Sequence, residues 1–294
     1  MKISFMHCGN ESMASYRYRV QMPVHWLDAD INNPRADVHV YAKPVPQDID
    51  HITRAKSEGK TVIVDICDLH FELEYYRKAI RMADLVTCST RWIAEFILED
   101  FGIACAMIPE SYEHEESPAH CHGNRLLWFG HASNYDSLQR IRDQLSDFPL
   151  TVVSSVVGGV PWSPDNLTKA LELADTVILP ETAPYKSANR AVEAIRAGCF
   201  VVAEPHPALT GFPVYTGNLR AGIKWAANNQ QEANDRTREA QAIVRERLSP
   251  KTLADAWRTA IRTAQSNSIS ARAVIVGTGG STSISTTAPI SSAT

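Results

Sequence analysis

Several absences narrow the possibilities before any motif is read. The 294-residue sequence has no Cys-x-x-Cys pair among its six cysteines, which fall at positions 8, 67, 88, 105, 121 and 199. Four of them (Cys67, Cys88, Cys105 and Cys199) sit in or beside apolar runs, so buried reduced thiols are expected and a disulfide framework is not. No window approaches the ~18 consecutive apolar residues of a membrane helix. The opening MKISFMHCGN is too short for a secretory leader, so the expectation is a soluble, cytoplasmic protein. Charge of one sign is also missing. The formal net charge is -4 and no basic half balances an acidic one, which removes any general drive toward nucleic acid or anionic membranes. No Gly-x-Gly-x-x-Gly follows the first strand, which argues against a dehydrogenase.

What the sequence does have is a globular composition, 44% hydrophobic and 21% charged, with alternating strand and helix signals. Strands are predicted at 2–6, 36–42, 61–68, 84–89 and 103–109. Helices are predicted within 15–27, over 71–83, and over 90–101 behind the N-cap Thr90. Polar, unpatterned residues 111–124 read as a linker. The alternation then restarts with strands at 126–130, 150–155, 174–180 and 199–204, and helices at 135–145 and 187–197. A helical stretch over 231–265 is broken at Pro250. The expected fold is α/β, with two Rossmann-like domains facing across a cleft. The expected boundaries are an acceptor-side domain at 1–110, a linker at 111–124, a nucleotide-sugar domain at 125–265, and a disordered Ser/Thr-rich tail at 266–294.

The chemistry concentrates in PETAPYKSANRAVEAIRAGCFVVAE, residues 180–204. A strand ends at Pro180, and a helix begins near Ser187. Lys186, Asn189 or Arg190, and Glu193 form a polar stripe on it. Ala188, Ala191, Val192 and Ile195 form the apolar stripe facing the sheet. Free amides at a helix start bind phosphate, aided by the macrodipole and the two cations. Glu193 lies roughly 9 Å further along the axis, a depth suited to the hydroxyls of a nucleoside ribose.

This stretch resembles the donor-binding motif K-S-x-N-R-x-x-E-A-x-x-x-G of GT-B glycosyltransferases of the "glycosyl transferases group 1" kind. Lys186, Ser187, Asn189, Arg190, Glu193, Ala194 and Gly198 match it. The resemblance implies a hexosyl transfer from a UDP- or GDP-sugar to an acceptor hydroxyl, with no other cofactor. It also implies no metal, because helix amides and basic side chains neutralise the leaving diphosphate. Glu193 would hold the ribose and have no protein partner. The first acid of the E-x7-E pair of retaining members falls on Tyr185, so retaining and inverting outcomes both stay open. So do a nucleotide-sugar 2-epimerase and a non-catalytic nucleotide-sugar-binding protein. The acceptor could be a carbohydrate, another hydroxyl compound or a modified nucleic-acid base.

Other candidates follow strand ends, where open α/β sheets bind ligands. Gly130 permits close backbone approach to a donor, and His131 stands beside it. Arg17 is available to the diphosphate from the segment after the first strand. Asp65, Asp68 and His70 are typed for a base that deprotonates the acceptor, His70 having the ordinary pKa nearest neutrality. His7 is the fallback. Glu113, His114, His120, Cys121 and His122 read as a solvated part of the linker.

Overall fold

A computed structural model describes residues 1–6, 9, 13–156 and 158–277. His7 therefore lies outside the described residues.

The N-terminal half is built from β1 (Ile3–Met6), α1 (Ala14–Tyr16), a π-helical turn at Arg17–Gln21 and α2 (Met22–Leu27), followed by β2 (Asp30–Ile31). Then come β3 (Val38–Ala42), α3 (Asp48–Ser57), β4 (Thr61–Ile66), α4 (Glu74–Met82), β5 (Leu85–Cys88), α5 (Arg91–Phe101) and β6 (Cys105–Met107). The six strands form one parallel sheet in the order β2-β1-β3-β4-β5-β6. Every residue of β3 and β4 is buried, as expected for strands covered on both faces. Thr90 caps α5 as expected, its hydroxyl accepting from the Ile93 amide at 3.3 Å.

The C-terminal half repeats the plan. It contains β7 (Leu126–Phe129), α6 (Tyr135–Gln139), β8 (Leu150–Val153), α7 (Pro164–Leu173), β9 (Thr176–Leu179), α8 (Asn189–Arg196), β10 (Phe200–Ala203), β11 (Tyr215–Thr216), α9 (Leu219–Asn228) and α10 (Gln230–Leu248). Its parallel sheet has the order β11-β10-β9-β7-β8. The strand order reverses between β1 and β3 in one sheet and between β7 and β9 in the other. Loops at the carboxyl ends of those strands border the ligand crevice of each half. Three helices, α3, α7 and α9, have no counterpart in the sequence-based reading. Each turns only a few apolar residues inward, such as Ile49, Ile52 and Ala55 on α3, too few to stand out as a period.

Two boundaries differ from expectation. The last helix, α11 (Pro250–Gly277), leaves the C-terminal half and packs on the first sheet. Trp257, Ala260, Ile261 and Ala264 are spaced as one helical stripe and join Phe5, Val20, Val40 and Ile63 in a common core. Trp257 meets Phe5 edge-on at 5.3 Å. Residues 266–277, expected in the disordered tail, continue that helix, and Asn267 donates to the Asp84 carbonyl at 2.9 Å. Composition argued against order there, but a helix already anchored upstream lowers the entropy cost of each added residue. Residues 278–294 lie outside the described residues.

The segment 111–124 is not a solvated linker. Cys121 is fully buried, and its backbone exchanges two hydrogen bonds with the Asn234 side chain, at 2.7 and 3.0 Å. Ser117 and His120 pair with the backbone at the end of α8. Glu116 bridges Arg196 and Arg245. Gly198 follows α8 at φ +85°, and a Cβ there would collide with the Pro118 carbonyl, so this crossing requires glycine.

Candidate functional site

The helix of the motif starts at Asn189, with no side chain capping it. Ala191, Val192, Ala194 and Ile195 are buried in the second core, and this packing aims the loop 180–188 and the helix start at the crevice. Arg190 lies beneath Gly130, where a Cβ would stand 3.5 Å from its Nη1. Its Nη1 also donates to the Phe129 carbonyl at 3.4 Å. No carboxylate pairs with Arg190 among the described residues. Burial pushes its guanidinium down to about 10. Such a cation is stabilised by any anion that reaches it.

The other motif residues have protein partners. Lys186 donates to Asp68 Oδ1 at 2.5 Å, across from the C-terminal half to the N-terminal half. Ser187 Oγ donates to Glu110 Oε2. Asn189 turns its Oδ1 to the Arg190 amide at 2.9 Å.

Glu193 overturns the expectation that it lacks a protein partner. It is 3% exposed. Its Oε1 accepts from the Tyr18 hydroxyl at 2.6 Å and the Glu113 amide at 2.7 Å. Oε2 takes the His114 amide at 3.0 Å and meets His114 Nδ1 at 2.6 Å. A carboxylate offers about four lone-pair sites, and all are filled. The π-helical turn makes this possible, since three consecutive residues there reach three different elements. Arg17 pairs with Glu113 at 2.6 Å and lies 4.8 Å over the Trp162 ring, Tyr18 reaches Glu193, and Arg19 reaches Asp65. The hydroxyl of buried Tyr18 is raised well above its ordinary value, by burial first and then by Glu193.

The three candidate bases separate. Asp65 is fully buried. It is held by Arg19 at 2.9 Å (Nε) and 2.5 Å (Nη2), and by Thr87 Oγ1 at 2.6 Å. Burial opposes the Arg19 charge, and Asp65 more than offsets it, so the guanidinium pKa stands above its usual range. An aspartate enclosed in this way has no access to an acceptor, which corrects its assignment as a base. His70 lies at the surface, edge-on to Tyr76 with centroids 5.6 Å apart and 3.8 Å from Glu72. Of the three, only Asp68 meets the C-terminal half, through Lys186. It is shared between Lys43 at 2.7 Å and Lys186. Burial works to raise the Asp68 carboxyl, but the two ammonium groups outweigh it and hold it below its ordinary value.

His131 is exposed and caps the short turn Ala132–Asn134, its Nδ1 accepting from the Ser133 amide at 3.2 Å. Glu110 and Lys43 did not emerge from the sequence. Both follow strands at their carboxyl ends, Glu110 after β6 and Lys43 after β3, so the rule that picked Asp68 extends to them. Burial raises the Glu110 carboxyl, against the opposing pull of Arg19 and Ser187. Of the two Asp-x-Asp triplets, 28–30 and 48–50, Asp30 accepts from Asn33 and Asp48 from the Val45 amide. Among the described residues no three His, Cys, Asp or Glu side chains cluster to hold a metal. No described helix is long and apolar enough to cross a membrane.

Two parallel-sheet α/β units with facing crevices define the class: the chain has the GT-B glycosyltransferase fold. Neither a protein-family model nor a curated protein matches its sequence. Solved structures do match its shape. HepE from Anabaena, crystallised with UDP and glucose, superposes with a TM-score of 0.72 at 14% identity, over 89% of this chain and 99% of that one. An alpha-1,3-fucosyltransferase with GDP-fucose gives 0.53 at 12% identity, over 88% and 89%. TarM from S. aureus, solved with fondaparinux, alpha-GlcNAc-glycerol and UDP, gives 0.58 at 13% identity, over 76% of this chain and 54% of that one.

Proposed function

We propose that the protein transfers a sugar from a nucleoside-diphosphate sugar to an acceptor hydroxyl without a metal ion. The observation that carries this reading is Arg190, a partly buried cation with no carboxylate partner among the described residues, at the start of the α8 helix beside the Phe129 carbonyl. That helix start, Arg190 and Lys186 together offer donors and positive charge to a diphosphate. The UDP and GDP-fucose found with structures of the same fold support a nucleotide-sugar as the donor. Asp68 is the base of choice, because it stands opposite the donor half beside Lys186. As the acceptor oxygen bonds to the anomeric carbon, the bond to the diphosphate breaks. The hydroxyl proton passes to Asp68, and the negative charge departs with the diphosphate onto Lys186 and Arg190. This inverting route assigns Asp68 a proton-transfer role; in a retaining route it would position the acceptor.

Calorimetric titration of the full chain with UDP and GDP tests the reading. One of the two is expected to bind, and Lys186→Met and Arg190→Met are each expected to weaken that binding about tenfold or more, the loss of a hydrogen bond to a charged group. Sugar transfer is expected to survive EDTA. Failure of both nucleotides to bind refutes the reading, and turnover that stops in EDTA and returns with Mn²⁺ refutes metal independence. Release of an epimerised nucleotide-sugar without acceptor would identify a 2-epimerase instead. Binding with neither transfer nor hydrolysis would identify a binding protein.

A further inference from the structure

Three polar contacts tie the loop 180–188 to the N-terminal half. Thr90 Oγ1 donates to the Tyr185 carbonyl at 3.2 Å, Ser187 donates to Glu110, and Lys186 donates to Asp68. Only the last joins two formal charges, and its lysine is one that the proposed donor site needs.

Lys43 stands on the far side of the same carboxylate. Its backbone adopts the left-handed region at φ 51°, which costs a non-glycine residue about 1 kcal/mol or more, and its amide is tied to the Asp65 carbonyl at 2.9 Å. In that conformation its ammonium takes Asp68 Oδ2 while Lys186 takes Oδ1. The other groups facing Asp68 are Glu110, Cys67 and the Tyr76 hydroxyl, which donates to the Asp68 carbonyl at 3.1 Å. None of these brings a positive charge. When Lys186 leaves, Lys43 is the cation that remains on Asp68.

We propose that Asp68 holds Lys186 in the empty cleft in place of the donor diphosphate, and that Lys43 is the positioning residue that lets Asp68 release it. The inference rests on the donor-site reading of Lys186. It explains why a strained lysine is kept beside an aspartate that already has a partner. With Lys43 present, Asp68 surrenders Lys186 to a diphosphate and remains ionised and oriented. Without Lys43, Lys186 is its only counter-ion and is retained more firmly. Loss of Lys186 also removes one of the two cations that depress the Asp68 carboxyl, so a loaded donor leaves Asp68 a stronger base. The empty enzyme holds a weaker one.

Affinity for UDP and GDP, measured by calorimetry on the full chain, separates the possibilities by sign. Asp68→Asn is expected to tighten binding about three- to tenfold, the scale of a partly exposed ion pair. Lys43→Met is expected to weaken it by a similar factor, Lys43→Arg to restore it, and the Lys43→Met/Asp68→Asn double variant to bind like Asp68→Asn. Hydrogen exchange of amides 181–188 without nucleotide should quicken in Asp68→Asn. If Lys186→Met weakens binding while Asp68→Asn leaves both affinity and exchange unchanged, the proposal is overturned and the donor site stands. If Lys186→Met has no effect on binding, the donor reading fails and takes the proposal with it.

Discussion

Replacing Arg19 with methionine, or Asp65 with asparagine, is expected to destabilise the protein by about 3–5 kcal/mol, the usual result of leaving one member of a buried ion pair unpartnered. That is a large share of the roughly 5–15 kcal/mol that holds a domain together. The pair is at most 1% exposed. It also joins five separate parts of the chain. Arg19 lies on the π-helical turn, Asp65 on β4 and Thr87 on β5. Arg19 Nη1 donates to the Ile108 carbonyl at 2.5 Å, and its guanidinium lies 5.5 Å from the Trp257 ring of α11. Urea denaturation followed by circular dichroism measures the loss. Converting both partners to apolar residues, as in Arg19→Met/Asp65→Leu, should recover much of it, because the penalty comes mainly from the stranded charge. An Asp65→Asn variant as stable as the parent but slower in turnover by 10²-fold would instead return Asp65 to the role of base.

Glu193→Ala is expected to cost about 3 kcal/mol or more, since it strands one buried and several partly buried hydrogen-bond partners, a buried one being worth about 1–3 kcal/mol. These are the Tyr18 hydroxyl, the Glu113 and His114 amides, and the His114 ring. Tyr18 comes from the N-terminal half, the two amides from the crossing segment, and Glu193 from α8, so the loss should loosen the contact between halves. Limited proteolysis near residues 111–124, set beside chemical denaturation, reads both effects. The ribose role implied by the motif predicts a different outcome. There the variant would unfold like the parent and lose roughly 1.5–3 kcal/mol of nucleotide affinity. Denaturation and nucleotide titration on one preparation tell the two apart.

Much of the fold was legible in the sequence because its strands are local and nearly continuous apolar runs. TVIVDI and FVVA can only be central strands, and their alternation with helices forces parallel pairing. The motif around Lys186–Gly198 was likewise readable, because a helix start after a strand is defined by nearby residues. Local rules failed where one residue type serves two ends. Glu193 and Asp65 look like accessible carboxylates in one dimension, yet their partners lie 175 and 46 residues away. The crossing of α11 to the first sheet was equally hidden, for a stripe of Trp257, Ala260, Ile261 and Ala264 states only that a partner exists.

The sequence by itself therefore determined the two parallel sheets, the helix that follows β9 and the chemical types available at each strand end. Hydrophobic period and backbone geometry act over a few residues, and those features need nothing more. Tertiary structure decided which charges are paired within the protein and which are not. Arg190 has no counter-ion among the described residues, Asp65 and Glu193 are saturated, and Asp68 is divided between two lysines from opposite sides of the cleft. Electrostatic and hydrogen-bond energies depend on separation in space and on burial, and neither is encoded by spacing along the chain.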